Sequence, residues 1–225
     1  MLGNPIYSIT PFSLLDYPDK SACILWYAGC NMRCVYCYNP EIVLGKGSMT
    51  FSETITFLNA RRGLLDAVVF SGGECLIHKN ISRQIQTVKS MGFLVKIDTN
   101  GSNPEVLETL VQNKLVDFVA LDYKAIEKKF MGITQSNLFR QFERSFDVLL
   151  DHKIKFEIRT TFHSALISID EINEMIRYLK EKHYVGNYYI QNFRNASKTI
   201  KKLPHSIPLS DKKIANNNSI KISFR

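Results

Sequence analysis

SACILWYAGCNMRCVYCYNP, residues 21–40, runs from an apolar segment straight into three closely spaced cysteines. Residues 21–29 read as a buried strand, because the run is short, rich in Ile, Leu, Trp and Tyr, and stops at Gly29. The reactive residues begin where the strand ends. The same arrangement recurs in DAVVFSGG (66–73), FLVKIDTNG (93–101), DFVALDYK (117–124), KFEIRTTF (155–162) and YYIQNF (188–193). Amphipathic helical patterns lie between these runs. Thr50 and Glu53 form a capping box for a helix over 50–63, with Phe51, Ile55 and Leu58 on one face. A helix over 79–91 carries Ile81, Ile85, Val88 and Met91, and Asn103-Pro104 starts another that turns Leu107, Leu110 and Val111 inward. A helix over 136–152 aligns Phe139, Phe142, Phe146 and Leu149, and Ser168 and Glu171 box one that continues through Ile172, Met175, Ile176 and Leu179. Six βα units in series predict an α/β fold with a parallel sheet and right-handed crossovers. Every polar cluster then falls at the C-terminal end of a strand, the end at which parallel barrels assemble their sites.

With 225 residues, 45% of them hydrophobic, the chain can bury one substantial core. No stretch approaches the roughly twenty apolar residues of a membrane span. MLGNPIYSITPFSLLDYPDK lacks a basic start followed by an apolar run, so no signal peptide is expected and the expected location is the cytoplasm. The net charge of +8 is uneven: Arg194 to Arg225 holds eight Lys or Arg against Asp211 alone, which puts +7 in the tail and +1 in everything before it. A near-neutral body argues against a nucleic-acid partner, because phosphate binding needs many Lys and Arg. The organisation expected is a core over 1–195 and a basic extension over 196–225, irregular through 196–218, with the final NSIKISFR patterned as an edge strand.

Cys30, Cys34 and Cys37 account for three of five cysteines, and in a cytosolic chain such crowding favours metal binding over disulfides. Cys23, inside the first strand, reads as a buried, inert thiol. Three thiolates are one ligand short of a structural zinc, for which Cys75 or His78 could supply the fourth only through proximity in the fold. A 4Fe-4S cluster held by three cysteines leaves one iron open to a substrate or cofactor. Ser71-Gly72-Gly73-Glu74 closes the second strand with two glycines that let backbone approach a ligand, followed by a carboxylate suited to an ammonium group. Asp98, Asp122 and Lys124 end the third and fourth strands, and together they describe a polar pocket.

These residues resemble the radical S-adenosylmethionine (SAM) superfamily in the Cys30, Cys34, Cys37 spacing and in the glycine-rich SGGE motif. LDYPDKSACILWYAGCNMRCVYCYNPEI, RRGLLDAVVFSGGE, VKIDTNGSNPEVLETL, VDFVALDYKA, FEIRTTFH and YYIQNFR follow in that order. Over about residues 8–195 the chain thereby resembles the glycyl-radical enzyme activases, in particular those serving anaerobic ribonucleoside-triphosphate reductase. The resemblance implies a partial (β/α)6 TIM-like barrel of the radical SAM type. It implies a 4Fe-4S cluster on Cys30, Cys34 and Cys37, its open iron chelated by SAM. It also implies a low-potential electron donor, a 5′-deoxyadenosyl radical, and a glycyl radical left on the reductase. Tyr36 would lie near the adenine, and Gly72, Gly73 and Glu74 would face the methionine amino group. Asp98, Asp122 and Lys124 would surround the SAM carboxylate and ribose, with the two acids also able to hold a monovalent cation. Arg159 and Gln191 join by strand-end position. The chain departs from the family at Tyr38, usually His, and at Cys75, usually Pro. Other targets of the same chemistry are a pyruvate formate-lyase-type enzyme or a deazapurine precursor.

Overall fold

The computed structural model describes residues 4–210, 214 and 220–225. One eight-stranded sheet runs in sequence order: β1 (Ile6–Ser13), β2 (Ala22–Tyr27), β3 (Ala67–Gly72), β4 (Leu94–Thr99), β5 (Phe118–Asp122), β6 (Phe156–Phe162), β7 (Asn187–Asn192) and β8 (Lys221–Phe224). β2 to β8 are parallel, and β1 pairs antiparallel with β2. The order never closes on itself, which makes a partial barrel of the expected six-unit kind with one strand added at each edge.

β1 was not expected, because IYSITPFS carries Pro11 and little apolar alternation. Proline confines a strand to an edge, and β1 is an edge whose register slips between Thr10 and Ser13. The patterned NSIKISFR contributes β8, while 211–213 and 215–218 of the expected irregular connection, and residue 219, lie outside the described residues.

Helices α1 (Pro40–Leu44), α2 (Phe51–Asn59), α3 (Ile81–Ser90), α4 (Pro104–Gln112), α5 (Glu127–Thr134), α6 (Phe139–Asp151) and α7 (Ile169–Glu181) join the strands. Both capping boxes form, Thr50 with Glu53 and Ser168 with Glu171. α2 stops at Asn59, short of residue 63, because turns from Arg61 to Leu58 and from Leu64 to Arg61 take over. α1 and α5, at five and eight residues, are too short to show a period in the sequence.

Alternation along the strands divides the core. Leu25, Phe70, Ile97, Leu121, Ile158 and Ile190 face the helices and pack on Ile85, Leu107, Phe142 and Ile176. Each such side chain, fully buried, contributes about 1.5–3 kcal/mol by leaving water. The other face is apolar towards the strand starts, where Ala22, Ile24, Ala67 and Val69 gather with Tyr17, Trp26, Leu94 and Phe118. Towards the strand ends that inner face turns polar, and the candidate site lies there.

Candidate active site

The loop after β2 is built against the end of β3. Gly29 sits at φ +85 and Gly72 at φ +120, both in the region that favours glycine. The Gly73 N–H donates to Tyr27 O at 2.9 Å and the Glu74 N–H to Gly29 O at 2.9 Å. A Cβ on Gly73 would collide with the Gly29 carbonyl and come within 3.1 Å of Cys30 Cβ. The glycine pair thus serves first to let the SGGE turn lie directly on the root of the cysteine loop.

Backbone from two directions and one side chain hold the loop itself. Arg33 and Val35 N–H groups donate to Thr134 and Ile133 carbonyls at the end of α5, and Ile200 and Lys201 N–H groups donate to Cys37 and Val35 carbonyls. Asn100 Nδ2 reaches Cys30 Sγ at 3.8 Å and Asn31 Oδ1 at 3.1 Å. All five cysteines are free thiols. Burial pushes the Cys30 thiol up to about 12, with the Glu74 charge adding. Burial also raises Cys34, against the pull of nearby Lys124. Among the described residues no three His, Cys, Asp or Glu side chains are already gathered as a metal site. The fit to an iron–sulfur cluster therefore rests on the donor set: three unpaired thiols on one loop braced on every side. Tyr36 adds a second sign, since its hydroxyl is buried without a hydrogen-bond partner. An unsatisfied buried hydroxyl costs about 1–3 kcal/mol, which a bound polar ligand would relieve.

Cys75 and His78 are engaged away from the triplet. The Cys75 thiol lies 3.6 Å from Phe70 O and 3.7 Å from Asp98 O, and His78 Nε2 lies 3.0 Å from Ala28 O. Neither supplies the fourth ligand that a structural zinc would need. Cys23 is fully buried, as expected, and burial pushes it up to about 12.

Glu74 is placed at the site but is not open to it. Its side chain is 1% exposed and accepts from Leu76 N, Thr99 Oγ1 and Asn100 N at 3.1, 2.8 and 2.7 Å. Burial raises its carboxyl to about 7 in spite of those donors. The carboxylate locks β3 to the β4 turn that reaches Cys30.

The inner face carries a ladder of alternating charge across β4, β5 and β6. Lys96 Nζ lies 2.8 Å from Asp98, and Ser71 Oγ donates to Asp98 at 3.1 Å. Arg159 bridges Asp98 at 3.5 Å and Asp122 at 3.0 Å, and Lys124 closes the row on Asp122 at 2.9 Å. Burial alone would raise both carboxyls; Arg159 and Lys96 on Asp98, and Lys124 and Arg159 on Asp122, outweigh it and hold them below the usual carboxylate range. The acids expected to receive a monovalent cation are thus already matched by three protein cations. Gln191 stands on β7 opposite Thr161, farther along the same face.

Sequence reading missed Lys96, Glu157 and Asn100. The first two are buried charges, 2% and 4% exposed. Strand alternation could have found them, because Leu94, Lys96 and Asp98 share one face, as do Glu157 and Arg159. Asn100 is signalled only by the fold. Tyr38 accepts from the Arg194 N–H at 2.8 Å and stacks on Phe193, so the aromatic that replaces the family's usual His serves to anchor the C-terminal segment.

Comparison with known proteins agrees with this geometry. The Radical SAM superfamily profile matches residues 24–179, and the chain belongs to that superfamily. Within it the chain goes with the glycyl-radical enzyme activating enzymes. It is 34% identical over 212 residues to a putative glycyl-radical enzyme activating enzyme of Methanocaldococcus jannaschii, covering 88% of this chain and 85% of that one. It is 27% identical over 212 residues to a pyruvate formate-lyase-activating enzyme of Clostridium pasteurianum, covering 91% and 83%. Solved structures share the fold. SuiB of Streptococcus suis bound to S-adenosylmethionine superposes with a TM-score of 0.66 at 14% identity over 90% of this chain, which spans about half, 51%, of SuiB. QueE of Escherichia coli gives 0.55 at 16% identity, covering 84% and 83%. The protein is a radical SAM enzyme, and its cofactors are a 4Fe-4S cluster and SAM. No helix among the described residues is long and apolar enough to cross a membrane.

Proposed function

We propose that this enzyme installs the glycyl radical of an anaerobic ribonucleoside-triphosphate reductase, in the cytoplasm, using a low-potential electron donor. The observation that carries the proposal is the braced loop of three free thiols, seated on Gly73 beside the neutralised acid ladder, in a chain 34% identical to an activating enzyme. The ordered motifs from LDYPDK to YYIQNF support the choice of reductase over other targets.

Cys30, Cys34 and Cys37 would hold the cluster, releasing their thiol protons as they become thiolate ligands. When bound, the cluster would supply the one-electron reduction of SAM from which the hydrogen-abstracting chemistry on the target glycine follows. The chain's own residues bind and orient. Gly72 and Gly73 bring backbone to the methionine end of SAM, and Glu74 fixes that backbone. Asp98, Asp122, Lys124 and Arg159 present a row of charges whose balance is set before the ligand arrives, so a SAM carboxylate meets Lys124 and Arg159 at little reorganisation cost. Tyr36 would offer its unpaired hydroxyl near the nucleoside, and Gln191, on β7 beside Thr161, would join the same face as Arg159. No side chain is required as a general base.

Anaerobic reconstitution tests the cluster assignment. The wild type should take up four iron and four sulfide per chain and form 5′-deoxyadenosine with dithionite. Cys34→Ala should lose both while keeping the circular dichroism of the fold. Full iron uptake by that variant would remove Cys34 from the site.

A further inference from the structure

Residues 193–210 form a strap across the cysteine loop. Its middle is bonded to the loop backbone, Ile200 N–H to Cys37 O at 3.3 Å and Lys201 N–H to Val35 O at 3.1 Å. Its start is held by Tyr38 through the Arg194 N–H and the Phe193 ring. Two asparagine clasps fix its return. Asn195 Oδ1 accepts from Ser206 N at 2.7 Å while its Nδ2 donates to Ser206 O at 3.0 Å, and Asn192 holds Leu209 in the same two-point way at 2.8 and 3.2 Å. An irregular segment with this many internal partners presents a fixed outer surface.

That surface has one sign of charge. From Arg194 to Ser210 the chain holds Arg194, Lys198, Lys201 and Lys202 and no Asp or Glu. All four are exposed. Lys198 reaches Glu41 at 3.5 Å, with side chains 77% and 69% exposed, a pair too solvated to neutralise it. The cations therefore lie on the segment that is bonded to the Cys37 and Val35 backbone, on a protein whose first 193 residues carry only +1.

We propose that the strap is the docking surface for an acidic one-electron carrier protein, and that Lys198, Lys201 and Lys202 steer it onto the cysteine loop. The inference rests on the proposed function, in which an electron must reach the cluster from outside. A patch of one sign beside a redox centre suits a transient encounter. Such interfaces are small, and charge complementarity sets their on-rate more than their affinity. The strap's hydrogen bonds to the Cys37 and Val35 carbonyls bring the docked partner to within one backbone layer of the cluster loop. The electron moves from the reduced carrier to the oxidised cluster; no bond is made or broken at the strap.

The test replaces Lys198, Lys201 and Lys202 by Glu together, and by Gln together as a milder form. Both are compared with wild type in two measurements using an acidic flavodoxin. One is titration of oxidised flavodoxin into the protein, read as binding; the other is stopped-flow reduction of the reconstituted cluster by reduced flavodoxin at low and high salt. The Glu variant should bind at least about tenfold more weakly and be reduced at least about tenfold more slowly at low salt, within the range that steering supplies. The Gln variant should fall between, and the wild-type advantage should shrink at high salt. Reduction by dithionite should stay at the wild-type rate in all three, and 5′-deoxyadenosine formed with dithionite judges the proposed function separately. Unchanged flavodoxin binding and rate in the Glu variant overturn the docking proposal. So does unchanged flavodoxin binding alongside weakened binding of the glycyl-radical enzyme, titrated in the same way, which would assign the patch to that partner.

Discussion

Arg159 bears the electrostatic balance of the inner face, and replacing it by Met tests that balance. The guanidinium lies 3.0 Å from Asp122 and 3.5 Å from Asp98, with side chains 16%, 24% and 12% exposed. Removing one member of a buried, hydrogen-bonded charge cluster typically costs 3–5 kcal/mol. Each aspartate keeps one lysine, at 2.8 and 2.9 Å, so the lower end applies, about 3 kcal/mol. For a chain of this length that corresponds to a fall in Tm of about 6–12 °C. The loss should depend on pH in a defined direction. In the wild type both carboxyls are held below their ordinary 3.8. Their stabilisation is complete above that value and disappears as pH falls through the lower folded values. In Arg159→Met the folded values rise, so the deficit is largest near pH 7, narrows as pH falls and closes only below the wild-type folded values, under 3.8, where the carboxyls are protonated in both proteins. Denaturant unfolding of the cluster-free protein at several pH values measures this, with Arg159→Lys, which keeps the charge but not the fork, falling between. A deficit under about 1 kcal/mol, or one that does not narrow as pH falls from 7 to well below 3.8, would refute the ladder as described.

Two further substitutions probe separate parts of the fold. Gly73→Ala forces a methyl onto the Gly29 carbonyl. It should abolish SAM binding in calorimetry of the reconstituted protein, whereas Gly63→Ala, where no atom lies within 4 Å, should bind SAM normally though strained at φ +76. Ser168→Ala removes the hydroxyl that accepts the Glu171 N–H at 3.2 Å. It should lower unfolding stability by about 1 kcal/mol and leave 5′-deoxyadenosine formation unchanged.

The parallel strands were legible because each is a short apolar run that ends in polar residues, a pattern that burial on both faces imposes. Helices α2 and α7 were legible at their starts, where Thr50 and Ser168 satisfy otherwise unpaired N–H groups. β1 was hidden by Pro11, and α5 by its length and by Gly132 inside it. At the site, sequence spacing could place Cys30, Cys34 and Cys37 on one loop and Asp98 and Asp122 at strand ends. It could not reveal that Arg159 joins the two acids, because that depends on the β5–β6 register pairing Asp122 with Arg159. Nor could it reveal that Glu74 turns inward to Thr99 and Asn100, since the donors it meets are 25 and 26 residues away. The strap over the cysteine loop was legible in the sequence as a basic tail suited to an acidic partner surface; its contacts with the loop are long-range backbone bonds, which leave no mark on composition.

The central claim concerns the target. Anaerobic electron spin resonance of the reconstituted protein, mixed with SAM, a low-potential reductant and one candidate partner at a time, tests it most directly. A doublet glycyl signal should grow in anaerobic ribonucleoside-triphosphate reductase, stay absent from pyruvate formate-lyase, and vanish when Cys30, Cys34 or Cys37 is replaced by Ala. A doublet in pyruvate formate-lyase with none in the reductase would contradict the proposed function while leaving the radical SAM site intact.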